Sequence, residues 1–276
     1  MINFNDVIKC NCDLGEGIKI KNEAIAWVDI NKDEIFLHRD SKLNTFKTQY
    51  KPSLIYSIGK HELIYGSDVG ICCLNLNSGD DHMLNSISFN HSYKKYRSND
   101  GGFCGNHQLL SFMHRNDPVN NSGFLYIIHE ESSILLDDGL HIPNSFIEIE
   151  PFKILISDSL KGKIWLYHLD EVGKIIKKDL WAQLDCGLSP DGGCMVGDYI
   201  FVALWDGACI AVFDKSGKLL RELSLPIIRP TNCKFDKVRS QLWITSASEG
   251  LSVEQKNIYP LSGNTFIYDL ELQSLC

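Results

Sequence analysis

No stretch of this 276-residue chain approaches the roughly 20 consecutive apolar residues of a membrane-spanning helix, so no membrane partner is expected. The opening segment "MINFNDVIKCNCDLGEG" lacks the apolar core of a secretory signal, which leads to the expectation of a cytoplasmic protein. Basic charge is also in short supply: 27 Lys and Arg stand against 35 Asp and Glu, a formal net charge of -8, with the acids scattered rather than gathered in a tail. Such a surface repels phosphate backbones, and no nucleic-acid partner is expected. The ten cysteines form no C-x-x-C, and the nine histidines form no H-x-x-x-H or H-E-x-x-H, so the common zinc spacings are absent. Dispersed through a long chain, the cysteines read as buried or half-buried free thiols. Cys10 with Cys12, and Cys72 with Cys73, sit near strand-like segments in which side chains alternate between faces, and neither pair is expected to chelate. A long amphipathic helix pattern is missing too.

What the chain does have is a succession of short apolar runs rich in Ile, Val, Phe, Tyr and Trp. "AIAWVDI", "SLIYSI", "FLYIIHE", "KIWLYHL", "YIFVALW" and "QLWITSAS" are examples, each bounded by Gly, Asp, Asn or Ser. Their lengths fit strands, and "DINKDEI", "SLKGKI" and "DKSGKL" between them fit hairpin turns. The reading is all-β, with sandwich, barrel and propeller as the available architectures.

A spacing separates these architectures. Asn99 in "RSNDGG", Asn144 in "IPNSF" and Asp191 in "SPDGG" each sit just ahead of a strand, 45 and 47 residues apart. Glu16 in "LGEGI" and Asn232 in "RPTNCKF" occupy similar places, Asn232 lying 41 residues after Asp191. A four-stranded propeller blade repeats every 40–50 residues or so, and the chain length divided by that period gives about six blades. The expected fold is therefore a six-bladed β-propeller with four-stranded antiparallel blades, forming a single domain over residues 1–276. Equivalent positions in successive blades converge on one end of the central channel. Glu16, Asn99, Asn144 and Asp191 would then bring two carboxylates and two amides together. Such carboxylates repel unless one is protonated or a cation neutralises both, and an all-oxygen set of this kind suits a hard divalent ion. The alternative is plain turn chemistry: "LSPDGG" by itself reads as a solvated corner, and Arg97 as a surface or ion-pairing residue.

Four segments, in order, carry a resemblance. "LGEGIKIKNEAIAWVDI" is similar to an LGEGP motif followed by a W-V-D strand, and "RSNDGG" to R-x-N-D-G. "IPNSFIEIEPFKILISDSLKGKIWLYHLD" is similar to an SNG motif with its hairpin. "SPDGGCMVGDYIFVALWDGACIAVFDKSGKLLRELSLPIIRPTNCKFD" is similar to a PDG motif running on to P-T-S-C-x-F. Together they resemble the SMP-30/gluconolactonase/LRE-like family from residue 14 to about 248. The resemblance implies a six-bladed propeller holding one divalent metal ion (Ca, Zn, Mn, Mg or Fe) on Glu16, Asn144 and Asp191. It further implies substrate contacts from Arg97 and Asn99, Asp191 as general base, and a sugar-acid lactone as substrate.

Two departures leave the ligands in place: Ser145 stands where the family has Gly, and Ile18 where it has Pro. A third bears on the substrate. The family carries an acidic substrate contact on a loop after its A-G-T-M motif, but "NHQLLSFMHRNDPVNNSGFLYI" retains only Met113 of that motif, and no Glu lies between Arg97 and Glu130. Binding loops vary while a scaffold persists, so substrate choice is the property that transfers least. Three readings stay open: a metal-dependent lactone hydrolase, a propeller that binds metal or a partner without catalysis, and a propeller hydrolase of other esters such as organophosphates. A WD-repeat scaffold is disfavoured because "WD" occurs once, at Trp205-Asp206. A monomer or weak homo-oligomer is expected.

Overall fold

The computed structural model describes residues 2–84, 89, 92–130 and 132–271. Six four-stranded antiparallel sheets form a ring, so the protein is a six-bladed β-propeller. Blade one runs outward through Gly15–Lys21, Ala24–Asp29, Glu34–Arg39 and Lys42–Lys47. The innermost strands of the next four blades are Pro52–Ile58, Tyr96–Cys104, Pro143–Glu150 and Ser189–Val196. Blade six is composite: Pro230–Asp236, Gln241–Ser246 and Thr265–Leu270 are joined at the outside by the N-terminal strand Ile2–Ile8. Each innermost strand packs against its two neighbours, closing the ring around the channel.

Burial follows from this layering. A blade's second strand is covered on both faces by adjacent blades, and Ala24–Asp29 is buried throughout. The outermost strand of the same blade, "KLNTFK", is almost wholly exposed, with lysines along an edge that would otherwise invite pairing. Between blades the apolar faces interlock: Ala26 and Val28 of blade one join Ile55, Leu63, Tyr65 and Leu74 of blade two. The described residues contain one six-residue α-helix, Val253–Ile258, and no helix long and apolar enough to cross a membrane. All nine described cysteines are free thiols, and only Cys186 is exposed.

Two expectations need correction. Asn99, Asn144 and Asp191 do not precede strands; they lie inside the innermost strands. "SPDGG" is accordingly no corner: Ser189 and Pro190 pair with Trp205 and Leu204, pairing resumes at Gly193, and the register shifts between. Asp191 and Gly192 occupy that irregularity. Nor is the Cys10–Cys12 segment strand-like: the strand ends at Ile8, Asn11 adopts φ 51°, and a hydrogen bond from Cys12 helps lower the Cys10 thiol to about 7.

Candidate metal and substrate site at the channel mouth

The same irregularity recurs in every blade. Register shifts fall between Glu16 and Lys19, Pro52 and Leu54, Ser98 and Gly101, Asn144 and Ile147, Pro190 and Gly193, and Pro230 and Asn232. A bulge leaves residues unpaired and re-aims their side chains. In four of the six blades the residue at this irregularity, Glu16, Asn99, Asn144 or Asp191, lines one and the same cavity. In blades one and four the backbone turns through the left-handed region directly after the functional residue, at Gly17 (φ 58°) and Ser145 (φ 56°). Glycine is required at the first: a Cβ on Gly17 would lie 2.4 Å from Leu54 Cα and 2.5 Å from Ser53 O. Ser145 tolerates the conformation while its hydroxyl donates to Asp191 O.

Above this ring lies a cavity of about 350 Å3, and all five residues singled out in the sequence line it: Glu16, Arg97, Asn99, Asn144 and Asp191. Asn144 Nδ2 donates to Asp191 Oδ1, and also to Ser159 Oγ at 3.4 Å. Glu16 Oε2 accepts from Gly17 N at 2.9 Å and from Asn232 Nδ2 at 3.5 Å. Arg97 is half-buried; its Nη1 donates to Asn99 Oδ1 at 2.8 Å and to Ser98 O at 2.9 Å. Asn99 Nδ2 donates to Pro143 O at 3.0 Å. One blade back, Asp68 braces this strand by accepting from Ser98 N at 2.8 Å while pairing with Arg115.

The carboxyls are under electrostatic pressure. Burial first, and the charge of Asp100 second, raise Glu16 to about 7. Asp191 is pushed well above the usual carboxylate range by burial, then by the charges of Glu16 and Asp100. Uncompensated, this crowding disfavours two negative charges, and a divalent cation is the simplest compensation. The donors fit one: two carboxylates and an amide supply only oxygen, the chemistry of a hard ion. The described residues contain no group of three or more His, Cys, Asp or Glu side chains placed to hold a metal ion, so an amide such as that of Asn144 would have to complete the set. Oxygen ligation requires that amide to turn over, giving up its present N–H bond to Asp191.

Three contributors carried no local signal that the sequence reading used. Asp100, buried at the neighbouring position to Asn99, faces inward because the bulge breaks alternation. Glu249, on the loop after Gln241–Ser246, lines the cavity, whereas Asp117 of the short loop after Met113 is not among its lining residues. Trp205 forms part of the wall, with the Arg229 guanidinium 4.8 Å from its ring centroid. Arg229 in turn ties Asp206 and the Glu249 carbonyl together at the rim.

Comparisons with known proteins bear on the family and the fold. Regucalcin from Gallus gallus is 32% identical over 114 residues, covering 40% of this chain; the chain thus spans only 38% of that relative's length. The crystal structure of regucalcin from Agrobacterium tumefaciens, described as a calcium-binding protein, superposes with a TM-score of 0.88 at 20% identity, covering 97% of this chain and 94% of that one. A gluconolactonase from Xanthomonas campestris superposes with a TM-score of 0.70 at 16% identity, covering 94% and 87%. At these identities the structural likenesses speak for the fold. Residues 14–248 match the family described as SMP-30/Gluconolactonase/LRE-like region, and the chain belongs to that family.

Proposed function

We propose that the protein is a divalent-metal-dependent hydrolase that opens the ring of a sugar-acid lactone at the channel mouth. One observation carries the reading: Glu16, Asn144 and Asp191 meet as a buried polar cluster on the floor of a cavity whose wall holds Arg97 and Asn99. Membership of a family described by gluconolactonase supports the reaction class.

Glu16, Asn144 and Asp191 would hold the cation, which when bound supplies Lewis-acid polarisation of a carbonyl or a water. The chain's own residues do the rest. Asp191 Oδ would accept a proton from a water attacking the lactone carbonyl, and the proton passes on to the ring oxygen as the acyl–oxygen bond breaks. Arg97, held by Asn99 and Ser98 and therefore limited in motion, points donors at substrate oxygens. Orientation of this kind is a large part of rate enhancement. Glu249 accepts from a substrate hydroxyl at the rim. Ser145 and Ser159, donating to Asp191 O and Pro190 O, fix the peptide that carries the base.

A second reading, cation binding without hydrolysis, draws on the lack of a Glu between Arg97 and Glu130. Chelation followed by single-metal rescue separates the two. Lactone hydrolysis that disappears with chelator and returns with one metal supports the hydrolase, whereas stoichiometric metal with no turnover on gluconolactone, pentonolactones or an aryl phosphotriester supports the binder.

A further inference from the structure

The channel has a second chamber, on the far side of the bulge ring from the site above. It has a volume of about 210 Å3 and is reached along the same inner strands, three residues past Glu16 at Lys19 and two past Asn232 at Lys234. Four features of its wall belong together. First, two half-buried ammonium groups face it outside any close ion pair, Lys234 acting on Asp100 only through its charge. Neither Lys19 nor Lys234 is in an ion pair among the described residues. Lys234 Nζ bonds only to Gly193 O, and Lys19 Nζ sits 6.0 Å from the Phe103 ring centroid. Lys19 is held below its ordinary range by burial, then by the charges of Lys234 and Lys21.

Second, the acids of the wall are largely engaged. Burial raises Asp100, opposed first by the charge of Lys234 and then by the N–H groups of Gly101, Phe146 and Ser145. Glu148 Oε1 accepts from Gly105 N at 2.5 Å and Phe152 N at 3.4 Å. Lys19 is thus left for something else, and Lys234 is engaged only at long range by Asp100. Third, Asn232 is 3% exposed, and its Oδ1 has no hydrogen-bond partner among the described atoms. An orphaned acceptor buried at this depth is costly and calls for a donor. Fourth, aromatic surface borders the chamber: Phe103 is 41% exposed and stands edge-on to Tyr56 at 5.5 Å, with Phe146 opposite.

We propose that this far chamber is a binding site for a small hydroxycarboxylate, with its carboxylate on Lys19 and Lys234, a hydroxyl donating to Asn232 Oδ1, and its carbon skeleton against Phe103. Two lysines and two acids leave the wall near neutral, which favours a monoanion over a dianion such as phosphate. The apolar rim favours an organic ligand over an inorganic ion. The site is independent of the hydrolase reading, since it requires neither metal nor turnover at the other mouth.

The test is calorimetric titration of the full chain, in excess chelator, with D-gluconate, acetate and inorganic phosphate, in the wild type and in Arg97→Gln; chelator removes any cation and the substitution the guanidinium, the two anion-binding groups of the other mouth. Gluconate is expected to bind Arg97→Gln with one site, more tightly than acetate or phosphate. Adding Lys19→Gln to that variant should weaken gluconate by at least about tenfold, the scale of one lost charge-assisted bond. Lys234→Gln, checked for an unchanged thermal transition, serves as the second arm. Absence of gluconate binding to Arg97→Gln overturns the proposal. So does indifference to both lysine substitutions, or phosphate binding as tight as gluconate. Lactone hydrolysis followed in parallel without chelator reports on the other mouth alone, so failure of one reading is distinguishable from failure of the other.

Discussion

Replacing Glu16 by Gln is expected to stabilise the metal-free protein above neutral pH. The Glu16 carboxyl rises from 4.5 to about 7, through burial first and the charge of Asp100 second. At about 1.4 kcal/mol per pKa unit, ionising it within the fold costs roughly 3 kcal/mol. The folded-state pKa lies above the unfolded value, so the folded protein holds the extra proton between pH 4.5 and about 7. Stability therefore falls as pH rises through that window and is level above it. Gln keeps an acceptor for Gly17 N and carries no charge. In chelator above pH 7, Glu16→Gln should melt higher by about 5–10 °C, the equivalent of roughly 3 kcal/mol for a chain of this size. Towards pH 4.5 the two transitions should converge, because wild-type Glu16 is then neutral as well. Adding a divalent cation should reverse the order, since only the wild type keeps both carboxylates to bind it. The reasoning is refuted if Glu16→Gln is no more stable than wild type in chelator above neutrality, or if its advantage is independent of pH.

The ring geometry yields further expectations. Gly17→Ala should cost about 2–4 kcal/mol in denaturant unfolding, from a left-handed φ combined with a Cβ pressed into Leu54 and Ser53. Ser145→Gly should lie within about 1 kcal/mol of wild type, because lost backbone strain offsets the lost hydroxyl bond to Asp191 O. Ser145→Ala keeps the strain and loses the bond, and should be less stable than Ser145→Gly by about 1 kcal/mol; equal stabilities would show that φ 56° costs nothing here. Trp205 lines the cavity, so a ligand entering the mouth should change its emission, and Trp205→Phe should abolish that change while leaving overall folding intact.

The blade count was legible because the channel residues repeat at nearly the blade period, and the strands because their apolar runs are short and bounded by turn formers. The bulges were not. Ser-Pro-Asp-Gly-Gly reads identically as a corner and as a broken register, since Asp and Gly suit both; only the partner strand, pairing at Leu204 and again at Val202, distinguishes them. Asp100 was hidden for the same reason: strict alternation turns the neighbour of Asn99 away from the channel, and the shift between Ser98 and Gly101 cancels the alternation. Glu249 reaches the cavity from the last blade, and no local pattern connects it with Arg97. Nor does any local pattern show that Ile2–Ile8 completes the blade ending at Leu270, a pairing set by ring closure rather than by sequence neighbours.

The central claim is that hydrolysis depends on a divalent cation held by Glu16, Asn144 and Asp191. The most direct measurement is metal content and gluconolactone turnover, determined on the same preparations of wild type and Asp191→Asn, before and after chelation. The account predicts one metal per wild-type chain, turnover lost on chelation and restored by one added ion, and neither stoichiometric metal nor turnover in Asp191→Asn. Full turnover in chelated wild type, or an Asp191→Asn variant that retains both metal and rate, would contradict it.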